Sequence, residues 1–477
     1  MSIALLLALS LTAAPQRPDV LTVPRPTAPE WFGIYVMGKK AGYSWSWIGR
    51  EIRDGKEVLV GRAETTIRAN VGGQEVSRST SDEKVYEARP GGRLLSFIAR
   101  REGDGGTRRI SGRCDPTGCA VELEGDGKRE QRRTGPVRET ADDADGPRLA
   151  AFRRDTRKGA QFEPDRLSDK EVETRFVRRA TVPAAGVEVG VAVVEEKDLE
   201  ARAATTAQIA DDGRVLEIRV GEAVVAKAEP ESVAKRLDQV DLFGLTRVKL
   251  PGPVSREVPG ALRFRLRGVP AAFAKEDPRQ KVEPLAGGET LVTVRAARPA
   301  ASDPAKDPPR GRPVADPELL RATPEVDHDD PRIQKLASEI VGGTKGIYAA
   351  SRKIEEAVYR RLTKVYGSSR DRATEVLDAG KGDCTEHTLL FVALARAAGI
   401  PARQVHGLVY ARYGDGVDAL YWHAWPEVLA GTEWIALDPT FGQPVADATH
   451  LALGHGSQVD TVGLMGAIQV VQVERVK

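Results

Sequence analysis

GKGDCTEHTLLFVALARAAGIPARQV, residues 380–405, specifies a helix from end to end. Asp383 is a good N-cap, and Glu386 three residues on completes a capping-box spacing. Leu390, Ala393, Leu394 and Ala397 then recur at i, i+3, i+4 and i+7 as one inward stripe. Gly399 stops the helix and Pro401 prevents its return. Cys384 is therefore the first helical residue, where unpaired backbone N–H groups and the positive end of the helix dipole favour a thiolate. Such a position is expected to depress a thiol pKa below about 8.5, and its N–H groups can also receive an oxyanion. A small buried hydrophobe at a helix start is the plain alternative. A base beside the cysteine decides between the two.

LYWHAWPEVLAGTEWIALDPTF, residues 420–441, supplies that base. Two strand-like runs, 420–429 and 433–438, flank a turn expected at Ala430-Gly431. Centring the turn there sets His423 opposite Asp438, with Cβ atoms about 4.5–5.5 Å apart on one face. A one-residue slip would put them on opposite faces. A carboxylate beside an imidazole fixes its tautomer and steadies the imidazolium. Trp425 shares the face of His423 and is expected to line the cleft, while Trp422 lies on the other.

Gly382-Asp383-Cys384-Thr385-Glu386, then Gly399-Ile400-Pro401-Ala402-Arg403, then Tyr421-Trp422-His423-Ala424-Trp425 with Glu427-Val428, and finally Trp434 with Leu437-Asp438-Pro439-Thr440 together resemble the bacterial transglutaminase-like superfamily. The resemblance covers about the last third of the chain. It implies a papain-like α+β fold and a triad of Cys384 as nucleophile, His423 as base and acid, and Asp438 as orienter. No motif fixes the second oxyanion donor that the family usually takes from a side chain upstream of the cysteine. Tyr366 is the position to inspect. The expected function is an exported cysteine enzyme that opens carboxamide or peptide bonds through a thioester, with hydrolysis (protease or amidase) favoured over amine transfer. The alternatives are a true cross-linking transglutaminase and a non-catalytic peptide- or glycan-binding module on the same fold. The chemistry needs no cofactor and no metal. Cys384 and His387 have a metal-like spacing, yet no second pair completes a zinc site. His406, His450 and His455 are expected to be structural or solvent-facing.

The first residues, MSIALLLALSLTAAPQ, pattern as an export signal over 1–14, too short in its apolar run to span a bilayer. Cys114 and Cys119 flank Asp-Pro-Thr-Gly, strong turn chemistry that brings two thiols within bridging reach. Periplasmic or extracellular placement is therefore expected, without a transmembrane anchor. Lys and Arg total 71 against 69 Asp and Glu, a net charge of +2, which leaves no basic field to hold a nucleic-acid backbone. The expected partner is a peptide or protein substrate, cell-envelope material among the options.

Residues 25–295 alternate with period two between Gly, Asp and Asn turns and predict an antiparallel β-rich region, a curved sheet or half-barrel in one or two pieces, interrupted by a helix at 230–240. Residues 296–330, rich in Pro, Asp and Ala, read as a linker, and the acidic run around His328 as solvated. Residues 331–477 turn to period 3.6 and form the catalytic unit, ending in strand-like alternation from 464 to 476. The fold class is α+β.

Overall fold

The computed structural model describes residues 17–476, apart from 104–105, 126, 185, 200–203, 253, 255–259, 271–272, 274–275, 297–298, 368–369, 413–415 and 456–461. The expected export segment and most of the glycine-flanked loop 414–416 fall outside the described residues.

Residues 30–228 build one antiparallel sheet of fourteen strands. The first strand, Glu30–Val36, lies in its middle. Successive hairpins lead outward on one side to Lys128–Arg133. Two short helices, Ala141–Ala144 and Gly146–Arg153, carry the chain across, and further hairpins return it to Val224–Ala228 beside the first strand. Alternation explains the two faces. Leu59, Tyr86, Phe97, Ile110, Leu149 and Phe162 form an apolar core on one side. On strand faces that retain solvent, Arg62 reaches Glu51 and Glu83, and Arg53 reaches the same two carboxylates. Such charge ladders are solvated strand surface rather than a binding patch. Cys114 and Cys119 are paired as a disulfide across one hairpin.

The helix expected at 230–240 is instead two single-turn pieces, Glu231–Ala234 and Leu242–Thr246. Between them Asp238 exchanges hydrogen bonds with Lys40, its carboxylate accepting from the Lys40 N–H and its own N–H donating to the Lys40 carbonyl. That docking onto a strand replaces the helical bonds.

A four-stranded sheet joins Ala261–Arg267, Gln280–Pro284 and Glu289–Arg295 to the C-terminal strand Gln469–Arg475. The tail thus pairs with a strand two hundred residues earlier, beyond the reach of local pattern.

The C-terminal unit has helices α1 (Pro331–Val341), α2 (Ile347–Arg361), α3 (Ala373–Ala379) and α4 (Cys384–Ala397), followed by strands β1 (Ala402–Arg412), β2 (Asp418–Ala430), β3 (Glu433–Ala436) and β4 (Leu451–His455). Strand β1 runs antiparallel between β2 and β4, and β2 also pairs β3 and the two-residue strand Val248–Lys249. Helix α4 packs on β1 and β2 through Leu390, Phe391 and Leu394, all essentially inaccessible. Leu408, Leu420 and Trp422 turn to the other face and pack with Leu262 and Phe264 of the four-stranded sheet. Substantial apolar burial on both sides makes β1 and β2 the rigid layer that carries the site.

Residues 296–330 do not hang free. Ala301 and Val326 join the apolar cluster around α4. Asp327 is fully buried, accepting from Thr374 and facing Arg372. His328 donates from Nε2 to the Leu320 carbonyl. Short polar side chains here satisfy backbone and helix ends rather than solvent, so the Pro/Asp composition yields a strap laid along the unit. Among the described residues no helix is long and apolar enough to cross a membrane.

Candidate active site

Helix α4 begins as its sequence dictates. Asp383 Oδ1 accepts from the Thr385 N–H at 2.8 Å, and Glu386 Oε2 accepts from the Asp383 N–H at 2.8 Å, closing the capping box. Gly382 is required by close approach, because a Cβ there would lie 2.3 Å from the Glu386 Cβ. The box engages the Asp383, Thr385 and Glu386 N–H groups, and the Cys384 N–H is the first-turn donor that the cap leaves over.

Cys384 is partly buried as a residue, with its thiol set inward beside the Ala424 backbone. Its acidity is the reverse of the expectation. Burial pushes the thiol above its ordinary range, and the charges of Asp383 and Asp438 push the same way, outweighing the pull of the Ala424 backbone. Glu386 is itself buried and held protonated by burial and by the neighbouring Asp383. The helix start orients the thiol, but the charge that would stabilise a thiolate must come from elsewhere.

The imidazole positioned to take the thiol proton stands one residue from Ala424. His423 is 8% exposed, and its Nε2 lies 2.9 Å from Asp438 Oδ2. The hairpin register is not the expected one. The turn is Gly431-Thr432, with Gly431 at φ +70°, and Ala430 pairs Glu433 while Glu427 pairs Ala436. Asp438 therefore lies two positions off from direct opposition to His423, past the end of β3, where it pairs with Gln443. A two-residue offset keeps the face, and the carboxylate reaches the imidazole diagonally.

Asp438 is fully buried and receives four donors. Oδ2 takes His423 and His450, the latter at 3.0 Å, while Oδ1 takes the Thr440 and Phe441 N–H groups at 2.7 and 3.2 Å. Burial opposes its ionisation, yet the two imidazoles hold the carboxyl far below the usual range. His450, expected to be merely structural, is thus a member of the constellation. Its Nδ1 lies 3.1 Å from Asp447 Oδ1. The only sequence cue is Asp447-x-Thr449-His450, an Asx turn in which the Asp447 carboxylate accepts from the Thr449 N–H.

Aromatic packing holds the imidazoles. Phe441 stacks on His423 at 5.0 Å and 15°, and Trp425 stacks on it at 6.1 Å and 25°. Trp425 also meets His450 edge-on. Trp425 is completely buried, so it is a floor beneath the site and not the cleft wall expected of it. Trp434 lies under Arg403 at 3.6 Å. Tyr366 meets Phe243 edge-on at 5.0 Å and its N–H donates to Gln74, a contact with the N-terminal half. His387 donates from Nδ1 to the Asp383 carbonyl, and among the described residues no cluster of three possible metal ligands includes it or Cys384. His406 is buried on β1, and the side chain of His455 lies outside the described residues.

Among the described residues the donors able to share one cation are His423, Asp438 and His450, whose ligand atoms all lie within 4.8 Å. Both imidazole–carboxylate distances are ordinary hydrogen bonds, which already satisfy these atoms. A cavity of about 860 Å³ opens between the large sheet and the start of α4. Asp383 and Thr385 line it, but Cys384, His423 and Asp438 do not, so it adjoins the candidate site without being it.

Residues 334–439 match the family model of the Transglutaminase-like superfamily, and this part of the chain is a transglutaminase-like domain. An uncharacterized protein of Haemophilus influenzae is 32% identical over 96 residues, 19% of this chain and 26% of that protein. The chain thus spans about a quarter of the length of the curated relative it matches. A crystal structure of a proposed cysteine protease from Cytophaga hutchinsonii is 17% identical, covers 46% of this chain and 82% of its own, and superposes with a TM-score of 0.30. A β-barrel-like protein of the DUF1849 family from Brucella abortus is 8% identical, covers 42% and 94%, and has a TM-score of 0.32.

Proposed function

We propose that the C-terminal unit is a cysteine-dependent amide hydrolase, in which Cys384 is the nucleophile, His423 the general base and acid, and Asp438 the orienter. The observation that carries this reading is the convergence at one β-strand position: the Cys384 thiol set beside the Ala424 backbone, and the neighbouring His423 held through Nε2 by Asp438. With Nε2 committed, Nδ1 is the nitrogen that takes the thiol proton. Because burial and the carboxylates of Asp383 and Asp438 keep the thiol protonated, His423 acts as a base during attack. The thiolate adds to a carboxamide carbonyl, and the Cys384 N–H at the start of α4 stabilises the oxyanion. Collapse expels the amine, which receives the proton from His423 and leaves a thioester. Water, deprotonated by His423, then releases the acid.

Hydrolysis is preferred to amine transfer because transfer needs a wall that excludes water from the thioester. Trp425 lies beneath His423 and Trp434 lies under Arg403, which leaves neither as a shield. A peptide or protein is the substrate class proposed. Export to the periplasm or beyond is supported by the N-terminal apolar run and by the Cys114–Cys119 pairing. The test is a library of glutamine-containing peptides incubated with and without millimolar primary amine and read by mass spectrometry. Free acid or cleaved peptide should dominate in both, and prevailing amine adducts would make the enzyme a transglutaminase.

A further inference from the structure

We propose that His450, held as an imidazolium between Asp447 and Asp438, is a positioning residue that fixes the Asp438 carboxylate and moderates its pull on His423. The proposal rests on the reading of Cys384, His423 and Asp438 as the reacting set.

His450 is completely buried, and each ring nitrogen faces a carboxylate oxygen: Nδ1 lies 3.1 Å from Asp447 Oδ1 and Nε2 lies 3.0 Å from Asp438 Oδ2. A neutral imidazole owns one N–H and would aim its other lone pair at a carboxylate. Only the doubly protonated ring donates to both. The alternative, a protonated carboxyl, is disfavoured by the other donors present. Asp447 already accepts from Gln443 Nε2 and from the Thr449 N–H, and Asp438 accepts from two backbone N–H groups. Burial alone would discharge His450, yet the two carboxylates raise its proton affinity above the ordinary value.

The result is a buried row in which the His450 imidazolium stands between the carboxylates of Asp447 and Asp438, with His423 on the far side of Asp438. Its consequence is electrostatic. An imidazolium on Asp438 Oδ2 shares the oxygen that His423 uses, so Asp438 stabilises a protonated His423 less than a lone carboxylate would. His450 thus draws on the same carboxylate oxygen that orients His423 toward the buried thiol. The other charges facing the row are Arg279, which donates to the backbone carbonyl of Asp447, and Glu355, Lys364 and His387 around Asp438. None of these four hydrogen-bonds either ring nitrogen of His450, so the two carboxylates dominate.

The chain has six histidines, few enough to follow one by one by NMR in the full-length protein labelled at histidine Cε1. The His450 resonance should hold the imidazolium position at pH 7. In His450→Gln the His423 midpoint should rise by about one pH unit. Asp447→Asn, which spares both imidazoles, should drop the His450 midpoint into the observed range and move His423 in the same upward direction. This keeps the test alive where the first variant fails to fold. A His450 signal at the neutral position at pH 7, or a His423 midpoint unmoved in every folded variant, overturns the proposal. Iodoacetamide capture of Cys384 in His423→Ala is read alongside. If capture there is unchanged, the underlying reading of the reacting set falls, whereas the titrations decide His450 on their own.

Discussion

His423 and Asp438 are bonded at 2.9 Å although they are not cross-strand partners. The carboxylate belongs to the segment after β3, anchored by the Thr440 and Phe441 N–H groups and by pairing with Gln443. Its position is thus set by a buried loop rather than by a strand ladder, and the charge it carries is its contribution. Asp438→Asn keeps the shape and removes the charge. Acylation of Cys384 by a p-nitrophenyl ester at pH 7 should fall by up to about 10⁴-fold, with the circular dichroism spectrum unchanged. A loss smaller than about tenfold would mean that Asp438 only fills space.

Glu355 on α2 is 4% exposed, and its Oε1 has no hydrogen-bond partner among the described residues. Burial, reinforced by the charge of Asp438, raises its carboxyl from 4.5 to about 7. The folded state therefore keeps a proton that the unfolded chain releases above about pH 4.5. The stability this group confers is complete below that pH and is lost as pH rises toward 7. Glu355→Gln should leave the urea midpoint unchanged at pH 4.5 and raise stability by about 3 kcal/mol at pH 8. Equal effects at both pH values would refute the buried neutral carboxyl.

The same linkage applies to Cys384 at higher pH. Its folded thiol is pushed up, so the unfolded chain ionises first, near pH 8.5, and stability declines beyond that point. Cys384→Ala removes the term. Denaturation midpoints of the two proteins should differ little more than a small core change at pH 7 and should diverge in favour of the alanine variant by pH 10. A constant difference would show that the thiol is not held protonated by the fold.

Cys114 and Cys119 close a loop of six residues at the tip of a hairpin. Chain-entropy arguments give such a short loop about 2 kcal/mol. Cys114→Ser should lower stability by that order without affecting Cys384 reactivity, measured by urea unfolding and alkylation rate. A fall in Cys384 reactivity would couple two sites that the architecture keeps apart.

Much of the site was legible because it is local. The cap, the stripe and the stop of α4 follow from Asp383, Glu386, Leu390 and Gly399, each acting within one or two turns. The pairing of His423 with Asp438 was legible only in parity. The turn falls at Gly431-Thr432 because glycine accepts the positive φ there, two register units from the expected centre, and an even slip preserves the face. The thiol's acidity was misread because helix-dipole reasoning sees the backbone but not burial or the nearby carboxylates of Asp383 and Asp438. His450 and the pairing of the C-terminal strand with 261–267 depend on contacts between distant segments, which no periodicity encodes. The Pro/Asp-rich segment 296–330 reads as a tether in composition, yet the placement of Asp327 against Arg372 and Thr374 is a tertiary fact.

The central claim is that Cys384 becomes acylated by a carboxamide. The direct measurement is an acid quench of the full-length protein with glutamine-containing peptides, followed by intact mass and peptide mapping. The account predicts a thioester on Cys384, its mass that of the peptide less ammonia or less the departing fragment, and its absence in Cys384→Ala together with all turnover. Turnover that persists in Cys384→Ala, with no adduct on Cys384 in the parent protein, would contradict it.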